Sequence, residues 1–248
     1  MNMKNCRNII LAAAVLAAAS SCSDKVQIKG TIAGAPDTQV VVKQLNGGAL
    51  VALDTVKTDG KGAYSYSAEV LKGQPQFIYL YKGDTKVASL LLQKGDKVKV
   101  ASDTLGKYSV EGSAESELLR QVEEDFAAFL DKFTADAARG DNAAASKDYI
   151  DYYRGRVKFI MENAKSLTAI PVLYQKINDN FPVFSQATDA IMFRNVHDSL
   201  MTVYPESRYV SALAKEAEKR FNAFDLSQRI QNAQESSYPD LYLPSVDG

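Results

Sequence analysis

The sequence has no tryptophan, one histidine and two cysteines among 248 residues. The cysteines are Cys6 and Cys22, so from Ser23 onward the chain holds no thiol. That excludes from this body a disulfide, a Cys-x-x-Cys redox pair and a thiolate metal site. Thiol–disulfide exchange starts with an attacking thiolate, and none is expected here. His197 stands beside Asp198 and one turn after Arg194. A catalytic dyad or a histidine metal site needs a partner that the spacing does not supply, so a surface or hydrogen-bonded histidine is expected. Formal charge is −1, or −3 once residues 1–21 are removed. With no basic stripe, nucleic acid is not an expected partner. No phosphate-binding glycine spacing precedes a helix, and Gly30-x-x-x-Gly34 reads as turn glycine. No cofactor and no metal are expected.

What is present begins with an address. Lys4 and Arg7 precede the apolar run Ile9 to Ala19, which fits the apolar region of a signal peptide and is too short to span a bilayer. Ala19-Ser20-Ser21-Cys22 follows and resembles a bacterial lipobox, with alanine at position 19 where leucine is usual. The resemblance implies a lipoprotein signal peptide over residues 1–21, acylation at Cys22 and a tether over 22–25. It implies a protein held on a membrane of a Gram-negative-type cell envelope through acylated Cys22, periplasm-facing rather than surface-exposed. Each buried methylene of an acyl chain contributes about 0.8 kcal/mol to such anchoring.

Residues 26–112 alternate apolar and polar in short runs. Val26 to Ile32, Gln39 to Leu45, Leu50 to Thr58 and Tyr64 to Val70 read as strands, as do Gln76 to Lys82, Val87 to Gln93, Lys97 to Val100 and Lys107 to Val110. Pro36-Asp37, Asn46-Gly47-Gly48, Asp59-Gly60-Lys61-Gly62, Gly83-Asp84 and Lys94-Gly95-Asp96 are turn signals between them. About eight closely spaced strands predict an antiparallel β-sandwich.

Residues 113–236 change period. Ser113 or Ser116 caps a helix with Glu115 and Glu117 in its first turn, and Leu118, Val122, Phe126, Phe129, Leu130 and Phe133 recur at helical spacing. Gly140-Asp141-Asn142 ends it. A second helix follows through Tyr149, Tyr153, Val157 and Ile160. A third is predicted from Ile170-Pro171 to about Asn180, a fourth over Gln186 to Val203 and a fifth over Ser207 to Ala233. The predicted class is α+β: an N-terminal antiparallel β-sandwich followed by a C-terminal helical bundle. Residues 237–248 read as an extended tail, loosely held, on which a protein partner docks.

Three stretches resemble a known family. Asp54-Thr-Val-Lys-Thr-Asp-Gly-Lys-Gly-Ala-Tyr64, and Leu92-Gln-Lys-Gly-Asp96 with Glu111-Gly-Ser113, are similar to the β-rich N-terminal domain of unknown function number 4369 of envelope lipoproteins. Tyr204-Pro-Glu-Ser-Arg-Tyr-Val210 is similar to the penultimate turn of the helical segment in such proteins. Tyr238-Pro-Asp-Leu-Tyr-Leu-Pro-Ser-Val-Asp-Gly248 resembles the opening of a TlpA-like thioredoxin domain. The resemblance implies that a thioredoxin domain follows this module in relatives. The sequence holds no counterpart of the Trp-Cys-x-x-Cys site, so no catalytic residue carries over.

Three clusters invite chemistry. Phe77, Tyr79 and Tyr81 share one strand face, either a stacking surface for a sugar or peptide or half of the sandwich core, and core is expected. Tyr149, Tyr152 and Tyr153 pose the same choice with the same expectation. Glu123-Glu124-Asp125 invites a cation, but adjacent helical positions diverge, so a solvated face is expected. The expected function is a non-catalytic accessory module on a lipid anchor. The alternative is a free-standing lipoprotein binding a sugar or peptide through Phe77, Tyr79 and Tyr81; an unrecognised hydrolase ranks third.

Overall fold

The computed structural model describes residues 24–235. The expected signal peptide, Cys22 and the segment 237–248 lie outside the described residues. Of the expected tether, Asp24 and Lys25 are tied down. Asp24 accepts a main-chain bond from Val70 (2.6 Å) and pairs with Lys94 (2.6 Å), and Lys25 opens the first strand.

Eight strands form two sheets: β1 Lys25–Ile32, β2 Gln39–Asn46, β3 Ala49–Lys57, β4 Ala63–Glu69, β5 Gln76–Lys82, β6 Thr85–Leu92, β7 Lys97–Ser102 and β8 Tyr108–Glu111. The first sheet has the order β4-β1-β7-β8 and the second β3-β2-β5-β6. All pairs are antiparallel except β1·β7, which is parallel. The alternation in β1 is complete: Val26, Ile28 and Ile32 face inward and are fully buried. They meet Val40, Val42, Ile78, Leu80, Leu90 and Leu92 of the second sheet in one apolar core.

Gly30 departs from the turn expectation. It lies inside β1, directly opposite Tyr64 of β4. A Cβ at Gly30 would stand 2.1 Å from the Tyr64 ring, so the glycine exists to admit the tyrosine. Gly112 stands between the end of β8 and the first helix. Its φ is +81°, and a Cβ there would lie 2.0 Å from the Lys97 carbonyl oxygen, so only glycine passes from β8 into the first helix.

The helices are α1 Ala114–Ala138, α2 Asn142–Glu162, α3 Ala169–Leu173, α4 Ala190–Met201 and α5 Arg208–Glu235. Ser113 is the N-cap of α1 and Asp141 that of α2. The helix expected over 170–180 stops at Leu173 and gives way to a small hairpin, β9 Lys176–Asn178 and β10 Phe181–Pro182. The Asn178 side chain accepts from Asn180 N–H (3.0 Å), a local bond that competes with helix. Phe181 then stacks on Tyr149 at 5.3 Å. The helix expected from Gln186 opens as a 3-10 turn, Ala187–Asp189, before α4.

A second core lies between the outer face of the second sheet and the helices. Phe77 and Leu91 enter it from β5 and β6. Leu119, Val122, Ile160, Leu173, Phe184, Phe193, Val210 and Leu213 enter it from the helical side. The helices are therefore a third layer on the sandwich. No helix among the described residues is long and apolar enough to cross a membrane.

Candidate functional site at the aromatic face of the second sheet

The period-two rule puts Phe77, Tyr79 and Tyr81 on one face of β5 and Ile78 and Leu80 on the other. The structure assigns the two faces differently from expectation. Ile78 and Leu80 fill the sandwich, while Phe77 and Tyr79 point away from it toward the helices and Tyr81 lies under Lys43 of β2. Phe77 is fully buried, and Tyr209 of α5 meets its ring edge-on at 4.9 Å. The Phe77 main-chain N–H donates to the Tyr209 hydroxyl (3.1 Å), which donates to Gln76 Oε1 (3.3 Å). Gln44 Nε2 donates to the same oxygen at 2.6 Å. Burial raises the Tyr209 hydroxyl pKa.

Toward the other end the ring faces are covered by cations. Lys43 Nζ stands 4.1 Å from the Tyr81 ring centre and Lys86 Nζ 6.0 Å from that of Tyr79. Burial, and next the Glu123 carboxylate, push Tyr79 above the ordinary phenol range. This face is accordingly a docking surface already occupied by the chain's own helices and lysines.

Two further clamps fix α1 to the sheets. Ser116 Oγ accepts from Leu91 N–H (3.0 Å) and donates to Leu91 C=O (3.1 Å), so a side chain occupies both main-chain groups of a residue on edge strand β6. Glu123 gathers three donors: Lys86 Nζ (2.7 Å), Ser89 Oγ (2.8 Å) and the Tyr108 hydroxyl (3.1 Å). Burial and the same carboxylate raise Tyr108. The acidic triplet splits as geometry requires. Glu124 pairs with Arg120, Asp125 with Arg156 (3.0 Å), and Glu123 with β6 and β8, so the expected solvated face holds for Asp125 but not for Glu123. The signal for Glu123 was its place one residue from Val122 and four from Leu119, at the flank of the buried stripe.

The tyrosines of α2 pack as expected, each with a hydroxyl partner. Tyr149 donates to Val183 C=O (2.9 Å), Tyr152 to Gln175 (2.9 Å) and Tyr153 to Asp189 (2.6 Å). Burial brings Tyr152 up to about 12. Arg156, which the sequence reading passed over, stacks its guanidinium on the Tyr152 and Phe159 rings. His197 Nδ1 bonds Asp198 Oδ1 at 2.9 Å, with Arg194 at 3.9 Å from the same carboxylate. No nucleophile joins them among the described residues.

Two of the concavities among the described residues lie on the sandwich. The larger, about 860 Å³, lies on the outer face of the first sheet, with a floor of Ala63, Ala101 and Ser109 and a rim that includes Lys29, Lys99 and Glu111. The second, about 410 Å³, opens between β3 and β4, where the two sheets part. Among the described residues no group of histidine, cysteine and carboxylates converges as a metal site.

An eight-stranded sandwich whose outer face is sealed by a helical layer defines the class: an α+β protein built around a β-sandwich module. Residues 26–119 match the family model described as Domain of unknown function (DUF4369). The matched segment runs from β1 to Leu119 in α1 and so includes both the sandwich and the Ser116 clamp. No curated protein matches the chain.

Proposed function

We propose that this chain is a lipid-anchored accessory module of a bacterial cell envelope that acts by holding proteins together rather than by catalysis. The observation that carries the reading is the use of the aromatic face. Phe77, Tyr79 and Tyr81 are engaged by Tyr209, Lys86 and Lys43, so the face that would serve a sugar- or peptide-binding lipoprotein joins the two halves of the chain instead. The lipobox-like Ala19-Ser-Ser-Cys22 supports anchorage at Cys22 and the periplasm-facing address. The similarity of residues 238–248 to the start of a TlpA-like thioredoxin domain supports a place beside thiol–disulfide oxidoreductases, with that segment as a contact for a protein partner. Labelled palmitate is expected to enter the wild type and not Cys22→Ala. Equal labelling of the two would overturn the anchor.

A further inference from the structure

The two sides of the sandwich are treated differently. On one side, edge strands β6 and β8 are covered by α1, through Ser116 on Leu91 and Glu123 on Ser89 and Tyr108. On the other, β3 and β4 are the edges, and β3 pairs only with β2. Along β3, Ala49 to Leu53 carry no charge, and Leu50, Val51 and Leu53 are 41%, 45% and 46% exposed. Beyond Leu53 the edge is blunted, because Asp54 turns its carboxylate onto Thr55 N–H (2.7 Å).

The groove between these edges reaches interior residues. Its lining includes Ile78 and Ala68, both inward-facing, with Tyr66 and Leu53 at its walls. Arg208, the first residue of α5, stands in the same lining, and its side chain makes no ion pair among the described residues. An open main-chain edge fits a strand, the apolar part of the slot, Leu53, Ala68, Leu71 and Ile78, fits alternate side chains of that strand, and the guanidinium of Arg208, at a lining that also holds Gln44, Gln76 and Glu69, fits a carboxylate.

We propose that β3 and this groove bind an extended segment of a partner protein by strand addition, the segment carrying apolar residues at alternate positions and an acidic residue for Arg208. The proposal rests on the interaction-module reading and names the surface and chemistry by which it works. It does not depend on the lipid anchor, which palmitate labelling reads separately.

The test uses the full chain and two fluorescein-labelled peptides followed by anisotropy. One alternates valine and threonine with an aspartate at each end; its twin has lysine at each end. The aspartate peptide is expected to bind saturably and at least tenfold more tightly than the lysine peptide. Leu53→Lys is expected to abolish binding of both, and Arg208→Glu to remove or invert the preference. Leu53 and Arg208 are exposed, so both variants should keep the wild-type melting curve. Saturable binding unaffected by Leu53→Lys would overturn the proposal, as would no saturable binding at all. Self-association lost on Leu53→Lys, without peptide binding, would assign the edge to a second copy and also overturn it.

Discussion

Gly30 and Tyr64 show how much one residue type can fix. The ring lies where a Gly30 side chain would go, and its hydroxyl is buried with no partner among the described residues. Burial alone raises the hydroxyl's pKa, as expected of a phenol with nothing to bond. Gly30→Ala forces the ring or the strand to move, and the expected loss is about 1–3 kcal/mol, read by urea unfolding. Tyr64→Phe removes an unbonded polar atom and keeps the ring, so stability should hold or rise by about 1 kcal/mol. A loss of that size would mean the hydroxyl has a partner. Glu117 gives a pH dependence. Its carboxylate accepts from Arg120 Nε (2.8 Å) and Nη2 (2.6 Å), and these bonds hold its pKa down to about 2. A depressed carboxylate stabilises the fold above its ordinary pKa, and that contribution fades as pH falls from about 4.5 toward 2. With about a third of the side chain exposed, screening limits it to about 1 kcal/mol or less. The stability gap between wild type and Arg120→Leu should therefore narrow across that window in parallel urea titrations.

At the scale of elements, edge strand β6 and helix α1 depend on each other. Both faces of β6 are buried, Leu90 and Leu92 in the sandwich and Leu91 toward the helices, and the Ser116 hydroxyl serves as the missing neighbour strand at Leu91. Ser116→Ala strands a buried N–H and should lower stability by about 1–3 kcal/mol, with increased hydrogen exchange at Leu91 as the local signature. Tyr209→Phe keeps the edge-on ring contact with Phe77 but removes the acceptor for its N–H, and a similar loss is expected. If hydrogen exchange at Phe77 were unchanged in that variant, Tyr209 would not be the partner that the geometry assigns. Strand positions were legible because period two and glycine-bearing turns are local signals. The hairpin of β9 and β10 was not, because Ile170-Pro171 reads as a helix start and only the side-chain bond of Asn178 and the stacking of Phe181 on Tyr149 decide against continuing it.

At the scale of the molecule, two cores share one sheet. Phe77 and Leu91 belong to the helical core while their strand neighbours Ile78 and Leu90 belong to the sandwich core. Unfolding one layer bares a face of the sheet, so near-ultraviolet circular dichroism and tyrosine fluorescence should report one coincident transition. Two separated transitions would show the layers to be independent. The sequence by itself determined the eight strands of the sandwich, the switch to helical spacing near Ser113, the lone histidine beside Asp198 and the absence of thiols after Cys22, because periodicity and residue inventory are properties of the chain. It also carried the lipobox-like motif on which the anchor proposal stands. Only the tertiary structure decided which side of β5 is the sandwich interior, that Gly30 is a seat for Tyr64, that Glu123 clamps three donors, and that β3 is the edge left open. Each of these depends on which surfaces meet between residues 15 or more positions apart or on opposite faces of one strand. An alternating strand reads the same from sequence whichever of its two apolar faces turns toward the other sheet.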